Sequence, residues 1–224
     1  MKKKSFLLAV MFLAIVTAAN ADTITFNYAN VGGLPSSPVA GAIVETFEGS
    51  LAWTWTGSFA VLDGTTNQNS APWNPISLAK ETTKYVSVPV PGGLPAVSVS
   101  VANLKGSYNY FGIWWGSMDS YNTLELLLED TVVATLTGSD VADPNDATGD
   151  QVLPATNRYV NIFLDGTKRF DSFRISSDNY AFEADNIAVA TIETIEPIPE
   201  PVSMLLFGTG LVGIGGYIRR KYKK

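Results

Sequence analysis

Along most of the central chain, polar and apolar residues take turns, and this constrains the fold more than any other feature of the sequence. The runs 23–28 (TITFNY), 85–90 (YVSVPV) and 97–101 (VSVSV) repeat every two residues, the period of a strand with one buried face. The run 123–128, a turn near Glu129 and Asp130, and the run 132–136 together have the form of a hairpin. Residues 159–164, 170–176 and 181–190 add further strand-like runs. No central segment carries a convincing 3.6-residue period, and no internal repeat is visible. The connections, for example 32–38 and 140–150, are rich in Gly, Pro, Asn, Asp and Ser. Many short strands between such turns predict an all-β fold, a single β-sandwich of jelly-roll-like form.

Cysteine and histidine are both absent. Such a domain is held by its core or by metal rather than by disulfides. Zinc or copper sites of the His/Cys type are excluded, as are Ser-His and Cys-His catalytic arrangements.

The two ends do not share the alternating pattern. Lys2, Lys3 and Lys4 precede an apolar run over 5–17, and Ala19-Asn20-Ala21 supplies small residues at the two positions that signal peptidase reads. This predicts a secretory signal peptide over 1–21, with Ala19 and Ala21 at the cleavage site and a mature start at Asp22. At the other end, 202–218 is uncharged and five of the six residues 219–224 are basic, Arg219 and Arg220 first. As a helix rising ~1.5 Å per residue, this run would be roughly 25 Å long, enough for a short bilayer crossing. The basic flank predicts a cytoplasmic tail. Residues 193–198, acidic and containing proline, read as a linker. The expected organisation is therefore a signal peptide (1–21), a β-sandwich domain (22–192), a linker (193–198) and a C-terminal signal (199–224).

Charge is distributed unevenly between these parts. Eight of the 15 Lys and Arg lie in the two ends; the other seven lie, with all 21 Asp and Glu, between Asp22 and Glu200, a net charge near −14 for the exported part. Nucleic acid and anionic membrane are poor partners for it, whereas divalent cations and neutral polymers suit it.

Pro199-Glu200-Pro201, the apolar run behind it and the basic end with Arg219 and Arg220 resemble the tripartite PEP-CTERM sorting signal. That resemblance implies processing by an exosortase, a transpeptidase-like membrane enzyme of Gram-negative bacteria that make extracellular polysaccharide. Within the body, 110–124 (YFGIWWGSMDSYNTL), 157–161 (NRYVN) and 181–187 (AFEADNI) are similar to landmarks of one group of exosortase-dependent surface proteins. The group implies extracellular placement and brings no activity with it. The partners expected are signal peptidase and the export machinery, the exosortase, the inner membrane during transit, and extracellular polysaccharide.

Three groups of side chains are candidates for chemistry. Glu48 and Asp185 lie near the two ends of the body. In jelly-roll domains such as the MAM type an early acidic residue and a late Asp share a cation, so this likeness implies a calcium ion on Glu48 and Asp185. Carboxylate, Asn and backbone carbonyl oxygens are the ligands calcium takes; otherwise the two are ordinary surface or turn residues. Asp140, Asp143, Asn145, Asp146 and Asp150 form a second oxygen-rich stretch, but their spacing is not that of an EF-hand and reads as a solvated loop. Trp53 and Trp55, two apart, share one strand face. They are either a platform for sugar rings or part of the core. Trp114 and Trp115 would face opposite ways on a strand, placing one in the core and the other at the rim or in solvent. No pair of acids is singled out as a glycosidase would require, and no enzymatic activity is expected. The expected function is that of a non-catalytic surface or matrix protein; the alternative is a carbohydrate-binding module gripping extracellular polysaccharide.

Overall fold

The structure is a computed structural model that describes residues 22–27, 35–92, 98–142 and 147–192. The chain divides into two units, residues 1–191 and 192–224. The linker 193–198, the signal segments 1–21 and 199–224 and the span 202–218 lie outside the described residues. Among the described residues no helix is long and apolar enough to cross a membrane.

The described body is nearly all β. One antiparallel sheet has the order β1 (Thr23–Asn27), β12 (Arg158–Phe163), β9 (Tyr110–Gly116), β14 (Phe182–Ala190), β7 (Tyr85–Val88) and β4 (Ala60–Leu62), with β2 (Ile43–Glu45) also pairing β14. The second has the order β11 (Thr131–Thr137), β10 (Asn122–Leu128), β13 (Phe170–Ser177), β8 (Ser98–Tyr108) and β3 (Thr54–Gly57). A small hairpin of β5 (Trp73–Asn74) and β6 (Ala79–Lys80) stands apart from both. A single helical turn, α1 (Gly138–Val141), follows β11.

Each run that alternates in the sequence carries a strand, and 122–137 is a hairpin. Its two turn residues, Glu129 and Asp130, both have positive φ (48° and 65°), as the tight type I′ turn requires. The short strands β2 to β6 were not legible in the sequence. At two to four residues each, they are too brief to show a period.

The two large sheets share one core. Phe111, Ile113, Trp115, Phe182, Ala184, Ile187 and Val189 from the first meet Trp55, Leu124, Leu126, Phe173 and Ile175 from the second. Phe173 is its hub, with ring centroids 5.0 Å from Phe111, 5.3 Å from Trp55 and 5.7 Å from Trp53.

The outer face of the first sheet is also covered. All seven residues of β9 and all nine of β14 are buried, so Trp114 is as enclosed as Trp115 and neither lies at a rim. The cover comes from irregular segments. Asn186 Nδ2 donates to the Pro35 carbonyl at 2.9 Å, and the Ser37 and Tyr110 hydroxyls share a hydrogen bond at 2.8 Å. Ser70 and Trp73 hydrogen-bond to side chains on or beside β14 and β12. Gly116 makes the close approach possible, since a Cβ there would stand 2.9 Å from Pro72 Cα.

Candidate functional site

Buried acids distinguish the outer face of the first sheet. Glu183 and Asp185 occupy alternate positions of β14, so both point away from the aromatic core. Glu183 accepts hydrogen bonds from the Ser70 backbone N–H and the Ser117 hydroxyl, each at 2.8 Å. Burial pushes its carboxyl up to about 8; the two hydrogen bonds and Lys80 oppose the rise, while the charge of Asp119 adds to it. Asp185 accepts from the Asn186 N–H at 2.6 Å and the Thr83 hydroxyl at 3.1 Å. Burial raises it to about 8 as well, against those hydrogen bonds and with help from the charges of Glu81 and Glu48. Both carboxyls pin the segment 63–84 onto the sheet.

Glu48 is exposed and accepts from the Lys84 N–H at 2.6 Å. It lies close enough to Asp185 for its charge to act there, so the fold brings the expected pair into one neighbourhood. It is the second strand, β2, that lies on β14, with Glu45 opposite Ile187, while the first strand pairs β12. Among the described residues no three acidic side chains are gathered to hold a metal. The oxygen-only set is of the kind calcium accepts, and such an ion would draw on backbone carbonyls and water besides Glu48 and Asp185.

Trp53 and Trp55 are not a platform. They are 5% and 8% exposed, and both rings meet Phe173 edge-on. Two aromatic rings on one face of a strand are the largest apolar surface that strand can bury, and the core shared by the two sheets claims them. Asp140, whose carboxylate accepts from Thr137 N–H and hydroxyl, and Asp150, which accepts from Val152 and Leu153 N–H, act as local turn anchors. Asp143, Asn145 and Asp146 lie outside the described residues, as do Ala19, Ala21, Pro199, Glu200, Pro201, Arg219 and Arg220.

Of the five tryptophans, Trp73 alone is not buried, and no sequence pattern distinguished it. It opens the β5–β6 hairpin, directly opposite Lys80. Asn157 Oδ1 accepts from both Trp73 N–H and Ser117 N–H at 3.0 Å, clamping the hairpin to the end of β9. Lys80 Nζ donates to Ser70 Oγ at 2.8 Å and to Gln151 Oε1 at 2.7 Å, tying the hairpin to the loop 150–157. That loop is held in turn by Asn157 Nδ2, which donates to the carbonyls of Asp150 and Leu153.

No curated protein matches the chain at a significant level. Solved structures similar to it at a low level include CpGH89CBM32-6, produced by Clostridium perfringens, at 10% identity and a TM-score of 0.34 over 66% of this chain and all of that one. They also include a catalytic domain of a GH87 alpha-1,3-glucanase, the D1069A form in complex with tetrasaccharides, at 12% identity and a TM-score of 0.40 over 72% of this chain and 30% of that one. At the C-terminus, residues 197–221 match the PEP-CTERM protein-sorting motif. The match takes in Pro199, Glu200, Pro201, the apolar run and Arg219 and Arg220, the residues on which the sequence resemblance rests. The C-terminal segment is thus a PEP-CTERM protein-sorting motif, which indicates an exported protein sorted through an exosortase.

Proposed function

We propose that the body is a non-catalytic, jelly-roll-like sandwich placed on the Gram-negative cell surface or in the extracellular matrix once its C-terminal signal has been processed. The observation that carries this reading is the sorting motif at 197–221, preceded by an acidic, disulfide-free β body. The non-catalytic part is supported by the use of the buried acids, since Glu183 and Asp185 both serve as anchors for a covering segment. Glu200→Ala alters the recognition tripeptide, and deletion of 219–224 removes the positive flank that sets orientation. Each change is expected to leave protein in the inner membrane and to lower the surface form by roughly tenfold. Cell fractionation with mass spectrometry of the surface form reads this, and should place the mature start at Asp22. Normal surface amounts for both variants would overturn the reading.

Binding of extracellular polysaccharide is the second reading, favoured by the surface position of Trp73 beside Lys80. Calcium on Glu48 and Asp185 is a separate proposal, supported by the charges of Glu81 and Glu48 acting on Asp185, which a cation there would offset. An ion that binds only the folded state stabilises it by mass action, about 2.7 kcal/mol at a hundredfold excess over Kd. Melting is therefore expected at a higher temperature in millimolar calcium than in magnesium at matched ionic strength, and Asp185→Ala should remove the difference. Equal melting temperatures would leave the two acids as hydrogen-bond anchors only.

A further inference from the structure

The three most exposed large apolar side chains of the described body converge on one place. Leu78 is 71% exposed, Ile76 61% and Val152 50%, and Leu153, at 39%, stands beside Val152. The first two stand on the β5–β6 hairpin, the others on the loop 150–157 that Lys80 and Asn157 fasten to it. Two loops held by this many buried or bridging hydrogen bonds do not collapse inward to hide these side chains. Leu78 is even held at a positive φ of 53°, a conformation that costs a non-glycine residue energy and that the surroundings must enforce.

Trp73 and Lys80 complete the patch. Directly opposed residues of an antiparallel pair send their side chains to the same face, so the partly exposed indole and the ammonium leave the hairpin together. The ammonium has three donors and spends two on Ser70 and Gln151, leaving one for a ligand.

The patch also has a direction. It lies where β9 ends and β14 begins, beside Gly116, Ser117 and Glu183. The chain leaves β14 at Ala190, beside Asn109, at the opposite end of a strand roughly 30 Å long. The apolar end therefore lies at the opposite end of β14 from Ala190.

We infer that this hairpin-and-loop tip is a binding site for an uncharged polysaccharide, with the Trp73 ring lying against the apolar face of a pyranose and Lys80 and Gln151 reaching its hydroxyls. The inference rests on the polysaccharide-binding reading above and moves it from Trp53 and Trp55 to Trp73. Charge selects the uncharged class. An exported part near −14 repels acidic polymers and anionic lipid, and the tip offers one ammonium, already engaged, against that field. Ile76, Leu78 and Val152 form an apolar rim that excludes water from the contact.

The test uses the full-length protein in mild detergent, with affinity electrophoresis through the neutral fraction of the extracellular polysaccharide of the producing cells. Retardation is expected. Trp73→Ala should weaken it about tenfold or more at an unchanged melting temperature, with Trp73→Phe retaining part of it. Bound polymer should also protect the protein's tryptophan fluorescence from acrylamide quenching, since Trp73 is the indole within reach. Retardation equal in wild type and Trp73→Ala overturns the site while leaving polysaccharide binding in place. Absence of retardation overturns both. Capture on phosphatidylcholine vesicles, or self-association, lost in Leu78→Ser and unaffected by the polymer, would assign the tip to a lipid surface or to a second copy instead. None of these outcomes bears on the sorting motif, whose own test is surface delivery.

Discussion

Raising the pH from about 5 to about 9 is expected to lower the melting temperature of this protein by on the order of 10 °C or more. Glu183 and Asp185 are the cause. Each has its carboxyl pushed up to about 8 in the fold, chiefly by burial, whereas an unfolded chain ionises near pH 4. Below pH 4 both states hold the proton, and burial of the neutral acids carries no ionisation penalty. Between about pH 4 and 8 the unfolded chain loses these protons and the folded one keeps them, so stability falls steadily. Above about pH 8 the folded state ionises too and the loss is complete. A carboxyl shifted this far contributes on the order of 4–5 kcal/mol to that difference. Thermal melts at several pH values read the effect. Glu183→Gln keeps an acceptor for Ser70 or Ser117 and removes the titration, so its profile should be flatter, and Asp185→Asn should act likewise. A wild-type curve as flat as that of the double variant would show that neither acid is buried as described. The outer segment 63–84, which both carboxyls hold, should be the first to gain hydrogen-exchange lability on the alkaline side.

The second large effect belongs to the core. Phe173→Ala is expected to cost about 3–5 kcal/mol, the usual range for removing a buried aromatic ring and leaving a cavity. Phe173 is fully buried and meets the rings of Trp53, Trp55 and Phe111, so both sheets lose a contact at once. A domain of this size is stable by only about 5–15 kcal/mol, and a chain without cysteine has no disulfide to limit the unfolded state. Urea unfolding should show the midpoint falling with little change in slope, and Phe173→Leu should lose far less. A loss under about 1 kcal/mol would contradict the central place given to this ring.

Strand type and the hairpin at 122–137 were legible because side-chain alternation is a local property. A residue two positions away lies on the same face whatever the rest of the chain does. The C-terminal signal was legible for a similar reason. Sorting enzymes and bilayers read a linear order of tripeptide, apolar run and basic flank, and the motif at 197–221 matches that order directly.

The candidate site was not legible in this way. Trp53 and Trp55 had the spacing of a platform, but whether a strand face turns toward a partner sheet or toward water is decided by what packs on it, and here Phe173 does. Trp114 was expected to differ from Trp115 because an isolated sheet has one wet face. Segments reaching from Pro35 and Ser37 on one side and Ser70 to Trp73 on the other close that face and bury both. Glu183 and Asp185 alternate with Phe182 and Ala184 as any solvent-facing acids would. Only the covering segment turns them into buried carboxyls with raised affinity for protons. Trp73 shows the converse, standing in a proline-flanked stretch with no period and reaching the surface because Asn157 and Lys80 clamp its hairpin to the end of β9. Local sequence thus determined the strands and the C-terminal sorting motif, because both depend on near neighbours along the chain. Tertiary structure alone decided which faces stay dry, because burial is set by segments far apart in sequence that meet only after folding.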